Sequence, residues 1–345
     1  MPLCTIRLSA VIAFWLATVA GPCAAQSPAP SWLAPDLAAR AKAEGGPVII
    51  YSSVNEQEAL PVWKEFETRS GIKIEYVRAS DTALLGRIAL EARSRQKTWD
   101  LLVTTAVGRL PQELLAPFEP PQAADYPAEA IGPGKRWYGV YSNISVPSYN
   151  TAAVKPDELP RTWAEFAARP QWAGQVAIDV SDGQWLGGMA RHFGDAPARK
   201  LLSDIAVALK PAIVDGHLAL ARQVGLGEYK VAISNYLNLT NNVRMAGGPT
   251  EYWVLDPVVV IYGAVGISAA SPHPAAALLA ANFLLSREGQ HKLTHVGRVS
   301  VRRDVTTNPP DVFQRLKGHK LEPVSFTPED EKVYQRAFDE IFKGR

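Results

Sequence analysis

The chain has 345 residues, with 36 lysines and arginines against 34 aspartates and glutamates and a formal net charge of +2. So even a balance excludes the basic footprint of a nucleic-acid binder, and the length predicts two domains. Both cysteines, Cys4 and Cys23, lie near the N-terminus, so a chain trimmed there has no disulfide, thiol nucleophile or thiolate metal site.

The N-terminus reads as an export signal over residues 1–25. Arg7 supplies the positive start, Leu8 to Ala20 carries no charge, Gly21 and Pro22 break it, and Cys23-Ala24-Ala25 offers small residues for cleavage near Ala25. The apolar run is about 13 residues, short of the roughly 20 that a membrane span needs. The mature chain is expected to begin near Gln26 in the periplasm. Losing Arg7 leaves 35 basic residues against 34 acidic ones.

After a proline-rich entry, Asp36 to Glu44 is expected to be helical. Val48 to Tyr51 reads as a buried strand, Ser52-Ser53-Val54-Asn55 as a loop, and Glu56 to Ser70 as a helix with Leu60, Trp63 and Phe66 on one face. Gly71 is placed as its C-cap. Ile72 to Val77 alternates as a second strand, Ala83 to Gln96 forms a second helix, and Asp100 to Thr104 a third strand. Strand, polar loop and helix in repeated order predict a parallel sheet with helices on both faces. Ligands of such sheets sit at the carboxyl ends of the strands, which puts Ser52, Ser53, Asn55, Ser80, Asp81, Thr104 and Thr105 along one edge. The plainer reading of each is a helix N-cap.

The pattern restarts after an extended, aromatic segment, Trp137 to Tyr149. Thr162 to Arg169 is expected to be a helix, Gln175 to Asp179 a strand, and Val180 to Gln184 a turn into another helix. Ala198 to Leu209 is helical, Ala212 to Val214 a brief strand, and Asp215-Gly216-His217 opens a further helix. Val231 to Ile233 is a strand leading into Ser234-Asn235-Tyr236. Asp256 to Ser268 is again extended, Pro274 to Ser286 helical, and Asp311 to Lys317 and Pro328 to Lys343 close the chain as helices. The two extended segments bracket the second unit and are expected to cross between lobes.

In order, these pieces resemble the family-1 extracellular solute-binding proteins, and in particular their ferric-ion-binding branch. The matching residues are Val48 to Ser53, Trp137 to Val140, Ser148 to Thr151, Leu159 to Trp163 with Gln171 to Gly174, Gly227-Glu228, Val231 to Tyr236, and Ala280 to Gln290. The resemblance covers nearly the whole mature chain. It implies an α/β, two-lobed type II periplasmic-binding-protein fold, each lobe a mostly parallel sheet flanked by helices, with a hinge between them. The expected division is lobe one from 26–147 and 257–310, lobe two from 148–256, and C-terminal helices over 311–345. It also implies a small-molecule solute, an ABC transporter permease as partner, no cofactor, and a monomer that is not an enzyme.

In iron-binding members of that branch, a histidine or acid in the first loop and two adjacent tyrosines in the second lobe hold the metal. Here Asn55 stands in the first loop, and the tyrosine pair is Tyr236 followed by Leu237, a poor donor set for a hard cation. The cleft instead offers uncharged donors: Ser52, Ser53, Ser80 and Thr105 through hydroxyls, Asn55 and Asn235 through amides, and Ser181 to Gln184 through a turn at a helix N-terminus. That chemistry suits a phosphate, phosphonate or carboxylate on a small organic solute. Trp185, Tyr141 and Tyr236 are expected to form its wall. Asp81 and Asp182 would repel an anion if ionised, but pair with a hydroxyl or amine. His217, at a strand-to-helix turn, completes the candidate set.

Ferric iron or an iron chelate is the alternative cargo, and a sensor partner or a periplasmic enzyme with Asp215 and His217 as acid–base pair is the alternative class. Against the enzyme, the sequence has no Gly-x-Ser-x-Gly elbow and no P-loop. His291 and His295 stand at helical i,i+4 spacing without the acid of a zinc motif, so no metal site is expected there.

Overall fold

The computed structural model describes residues 30–344; the expected export signal lies outside them. The first half of the chain lays down α1 (Pro35–Glu44), β1 (Val48–Ser52), α2 (Glu56–Ser70), β2 (Ile74–Arg78), α3 (Asp81–Arg93), β3 (Leu101–Thr104), the short β4 (Leu115–Ala116) and the long β5 (Trp137–Asn150). The second unit follows as α4 (Trp163–Ala167), β6 (Val176–Asp179), α5 (Gly183–Phe193), α6 (Asp195–Leu209), β7 (Ala212–Val214), α7 (His217–Leu226), β8 (Val231–Tyr236), α8 (Leu237–Met245) and β9 (Thr250–Tyr252). The chain then returns through β10 (Val258–Ser268), α9 (Pro274–Leu285), α10 (Arg287–His295), β11 (Val299–Ser300), α11 (Val312–Leu316), β12 (Leu321–Val324) and α12 (Pro328–Lys343). The C-terminal stretch, expected as helices only, therefore also contributes a strand, which pairs in parallel with β10.

The helix period explains α2. Ala59, Val62, Trp63 and Phe66 recur on one face and are buried, whereas Leu60, expected on that face, is 46% exposed. Gly71 then takes a left-handed φ of 76°, which a side chain would resist, and its N–H closes the helix on Glu67 O.

One sheet runs through the molecule in the order β2-β1-β3-β10-β5-β8-β6-β7. Its ends are parallel, β2-β1-β3 on one side and β8-β6-β7 on the other. The centre is antiparallel. β5 and β10 pair from Val259 opposite Ser145 to Gly266 opposite Trp137, with a bulge between Gly263 and Ala264. The far part of β10 then pairs with β3, and the far part of β5 with β8. These two long strands thus carry the chain out to the second lobe and back, giving the two-lobed α/β architecture.

Each lobe has its own core. Trp32, Trp63, Phe66 and Phe283 pack in the first and Trp163, Phe166, Trp172, Trp185 and Phe338 in the second. Among the described residues no helix is long and apolar enough to cross a membrane.

Helix α12 packs on α5 and α6, and glycines permit the approach. A Cβ on Gly183 would stand 2.8 Å from Gln335 Cα and 2.9 Å from its backbone nitrogen. Because those are backbone atoms, Gly183→Ala must displace α12. The expected cost is about 1–3 kcal/mol, the range for overpacking, measurable by urea unfolding; an unchanged midpoint would mean that α12 lifts away freely.

Candidate functional site

The carboxyl ends of the strands carry two clusters that face between the lobes, and the crossing strands carry a third. On the first lobe, Asp81 accepts hydrogen bonds from the Thr104 hydroxyl and, at 2.5 Å, from the Thr105 hydroxyl. Ser53 donates to Thr104 Oγ1 at 3.1 Å. Asn55 precedes α2 without capping it and accepts a long 3.5 Å bond from Arg78. It lines a cleft of about 320 Å3 whose other wall includes Leu218, Arg222 and Asn242 of the second lobe.

On the second lobe, Asp179 ends β6 fully buried. It accepts bonds from Ser181 N and Oγ at 2.9 and 2.5 Å and from Gly216 N at 2.8 Å. It thereby shapes two turns, the one into α5 and the one that presents His217 at the start of α7. The imidazole Nε2 lies 3.4 Å from Asp182 Oδ1 and 3.7 Å from Asp179 Oδ1, and its ring centroid is 3.8 Å from that of Tyr236. Asn235 accepts Tyr236 N at 2.8 Å. Five atoms of this cluster are buried with no partner among the described residues: Asp182 Oδ2, both ring nitrogens of His217, Ser234 Oγ and Asn235 Nδ2.

Burial sets the charge state. It pushes the Asp182 carboxyl well above the ordinary carboxylate range, with Asp179 adding repulsion. It pushes His217 below the usual imidazole value, against the opposite pull of Asp179. The Tyr236 phenol is raised well above 10.0 by burial and then by Asp182, Asp179 and Asp81. Asp182 and Tyr236 are therefore biased toward carrying their protons, and His217 toward its neutral form.

The third cluster lies at the crossing strands. Buried Arg298 donates to Glu58 Oε2 at 2.6 Å and to Asn143 Oδ1 at 3.2 Å, and its guanidinium covers the Tyr141 ring at 4.4 Å.

Several expected contacts are otherwise employed. Ser52 is buried, donating to Val103 O and accepting from Val54 N, so its hydroxyl is spent on the backbone. Ser80 is exposed and caps α3 through Ala83 N, the plainer alternative for such a serine. Trp185 is not a cleft wall: it is 1% exposed and packs edge-on against Trp163. Tyr141 is likewise sealed beneath Arg298 in the first core. Ser181, Asp182, Gln184, His217, Asn235 and Tyr236 do come together at one end of the second lobe. Asp179, Glu58, Arg298 and Ser234 were not anticipated. Strand ends are the available signal: an aspartate closes β6 at Asp179, and Ser234 directly precedes Asn235 on β8.

Residues 108–327 match the model of the bacterial extracellular solute-binding proteins. The chain belongs to that family. Solved structures agree on the fold. Iron-bound HitA from Pseudomonas aeruginosa is 21% identical, with a TM-score of 0.71 over 86% of this chain and 98% of HitA. AfuA from Actinobacillus pleuropneumoniae, solved with exogenous fructose-6-phosphate bound, is 19% identical, with a TM-score of 0.70 over 86% and 99%. The Trichodesmium protein IdiA (FutA), in complex with iron and citrate, is 18% identical, with a TM-score of 0.64 over 86% and 98%.

The Asp182 environment carries a stability consequence for this solute-binding protein. A carboxyl whose folded pKa is raised binds its proton more tightly when folded, so stability drains away as pH climbs above the unfolded value near 3.8. Asn has no proton to lose. Asp182→Asn should therefore melt higher at pH 7.5, by about 0.5–2 kcal/mol, with the gain fading toward pH 3.5. An equal gain at both pH values would show that the carboxyl's charge is not what costs stability.

Proposed function

We propose that this protein captures a small oxyanion-bearing organic solute (a phosphate, phosphonate or carboxylate) by closing its lobes, and delivers it in the periplasm to the permease of an ABC importer. The observation that carries the reading is the set of unpartnered buried atoms around Asp182, His217, Ser234 and Asn235. Each unpaired buried polar atom costs about 1–3 kcal/mol, and a ligand reaching from the cleft would satisfy several at once. With its proton retained, Asp182 donates to an oxyanion instead of repelling it. The helix starts at Gly183 and His217 add backbone N–H groups of the kind that hold anions. From the first lobe Asn55 lines the cleft, and Ser53, Asp81 and Thr105 form one hydrogen-bonded set through Thr104, with Tyr236 as the proposed wall.

AfuA, solved with a sugar phosphate, lends this class support, while HitA, solved with iron, makes ferric iron the competing cargo. Against iron stand Leu237 beside Tyr236 and a phenol whose proton burial holds tightly. Transport requires no bond making.

Native mass spectrometry of protein taken from its source would show a retained solute. Calorimetry against phosphorylated and carboxylated metabolites, with ferric citrate in the panel, identifies the class. Tight ferric binding lost in Tyr236→Phe, without response to any organic anion, would overturn the oxyanion reading and leave the transport role standing.

A further inference from the structure

The C-terminal helix reaches both lobes. Its body is fixed to the second: Ala337 and Phe338 are buried in that core, and Gln335 Nε2 donates to Val180 O at 3.0 Å. From its first turn, Glu331 leaves in the other direction. One carboxylate oxygen accepts the Gln184 side-chain amide at the start of α5, and the other meets the Arg109 guanidinium. Arg109 belongs to the first lobe, in the turn Val107–Arg109 directly after β3, and that turn is rooted by Val107 in a first-lobe core. Both side chains are largely enclosed, Arg109 at 22% and Glu331 at 11% exposure. They line a small cavity of about 30 Å3 with Thr105 and Gln184, under the β10 segment that contains the bulge.

One carboxylate thus holds a first-lobe cation and a second-lobe amide at the point where the lobes adjoin. An enclosed ion pair is screened less than a surface pair. It is also satisfied only in one relative placement of its partners, since a guanidinium pulled away leaves a buried charge behind. Opening the lobes would separate Arg109 from a helix that stays with α5 and α6. The Gln184 amide, one of the candidate solute contacts, is oriented by the same carboxylate.

We infer that Glu331 is a positioning residue of the binding site, fastening Arg109 of the first lobe and Gln184 of the second to one carboxylate and so favouring the closed arrangement. The inference rests on the reading that the lobes close on a solute, but not on which solute they take. Glu331 touches no ligand in this role. It raises the affinity for anything held between the lobes by making closure easier.

The test separates closure from binding. Residues 26–345 contain no cysteine, so in that stretch Leu90→Cys on α3 and Val207→Cys on α6, 65% and 76% exposed in the wild type, carry a dye pair across the lobes. In solute-free protein, Glu331→Gln and Arg109→Gln should each shift energy transfer toward the longer distance, and the double variant no further than either alone. Affinity for fructose-6-phosphate or ferric citrate, whichever binds, should fall roughly three- to tenfold in each single variant, again without further loss in the double. The charge swap Arg109→Glu with Glu331→Arg should recover part of both. The melting temperature of the solute-free protein controls for general damage, and if Glu331→Gln unfolds the chain, Arg109→Lys replaces it as the mild probe. Unchanged energy transfer, additive losses, or tighter binding in Glu331→Gln would each overturn the inference. Failure of both solutes to bind would count against the proposed function, and energy transfer would still decide the role of Glu331.

Discussion

Trp185→Ala is expected to cost about 3–5 kcal/mol of folding stability, the range for removing a buried large aromatic, with little effect on solute affinity at temperatures where the variant stays folded. The indole is 1% exposed and meets Trp163 edge-on at 5.5 Å. Trp163 stacks on Phe166, which in turn stacks on Trp253 at 5.8 Å and 10°. Removing Trp185 opens a cavity at the end of that aromatic row, and the neighbouring strands and helices leave little freedom to collapse into it. Urea unfolding followed by circular dichroism reads the loss. A small loss of stability with a large loss of affinity would return the tryptophan to the cleft.

The mistaken expectation for Trp185 has a geometric cause. It follows Gln184 directly, and the polar turn before them suggests the cleft for both. Successive residues on a helix point about 100° apart, so neighbours at i and i+1 do not share a face. From Gly183 to Ala190 every residue of α5 is buried except Gln184, which turns to Glu331. The helix period could have separated the two; the polarity of the preceding turn obscured it.

Local signals otherwise carried the fold well. The second helix spans Glu56–Ser70 as its capping glycine implied, and the long extended segments became the paired crossing strands β5 and β10. Strand ends located the polar cluster of the second lobe because successive βα turns must meet on one sheet edge. What stayed hidden depends on contacts distant in sequence. Glu331 lies 147 positions from Gln184, Arg298 reaches Glu58 across 240, and no periodicity links such pairs. The serines show the converse limit. Ser52, Ser53 and Ser80 look alike as loop hydroxyls, but one bonds the neighbouring strand at Val103 O, one turns to Thr104, and one caps a helix. Only packing distinguishes them.

His217→Ala should weaken solute binding by ten- to a hundredfold, the loss of a hydrogen bond to a charged group at about 1.5–3 kcal/mol, and should abolish a pH dependence of distinctive sign. The groups facing the imidazole are Asp179 from the end of β6, Asp182 from the turn before α5, and Asn235 and Tyr236 from β8. Burial lowers the proton affinity of His217 in the solute-free protein, so above that lowered pKa the ring is neutral. An oxyanion beside it favours the imidazolium and raises the pKa. Between the two values the complex holds more protons than its parts, and affinity must rise as pH falls, by up to about tenfold per pH unit for one proton taken up. Ferric iron would act with the opposite sign, because its oxygen donors must lose their protons to bind it. Calorimetry in two buffers of different ionisation heat measures the proton count directly. Uptake that disappears in His217→Gln fits an oxyanion at this histidine, whereas release on binding, reduced in Tyr236→Phe, would assign the cleft to a metal.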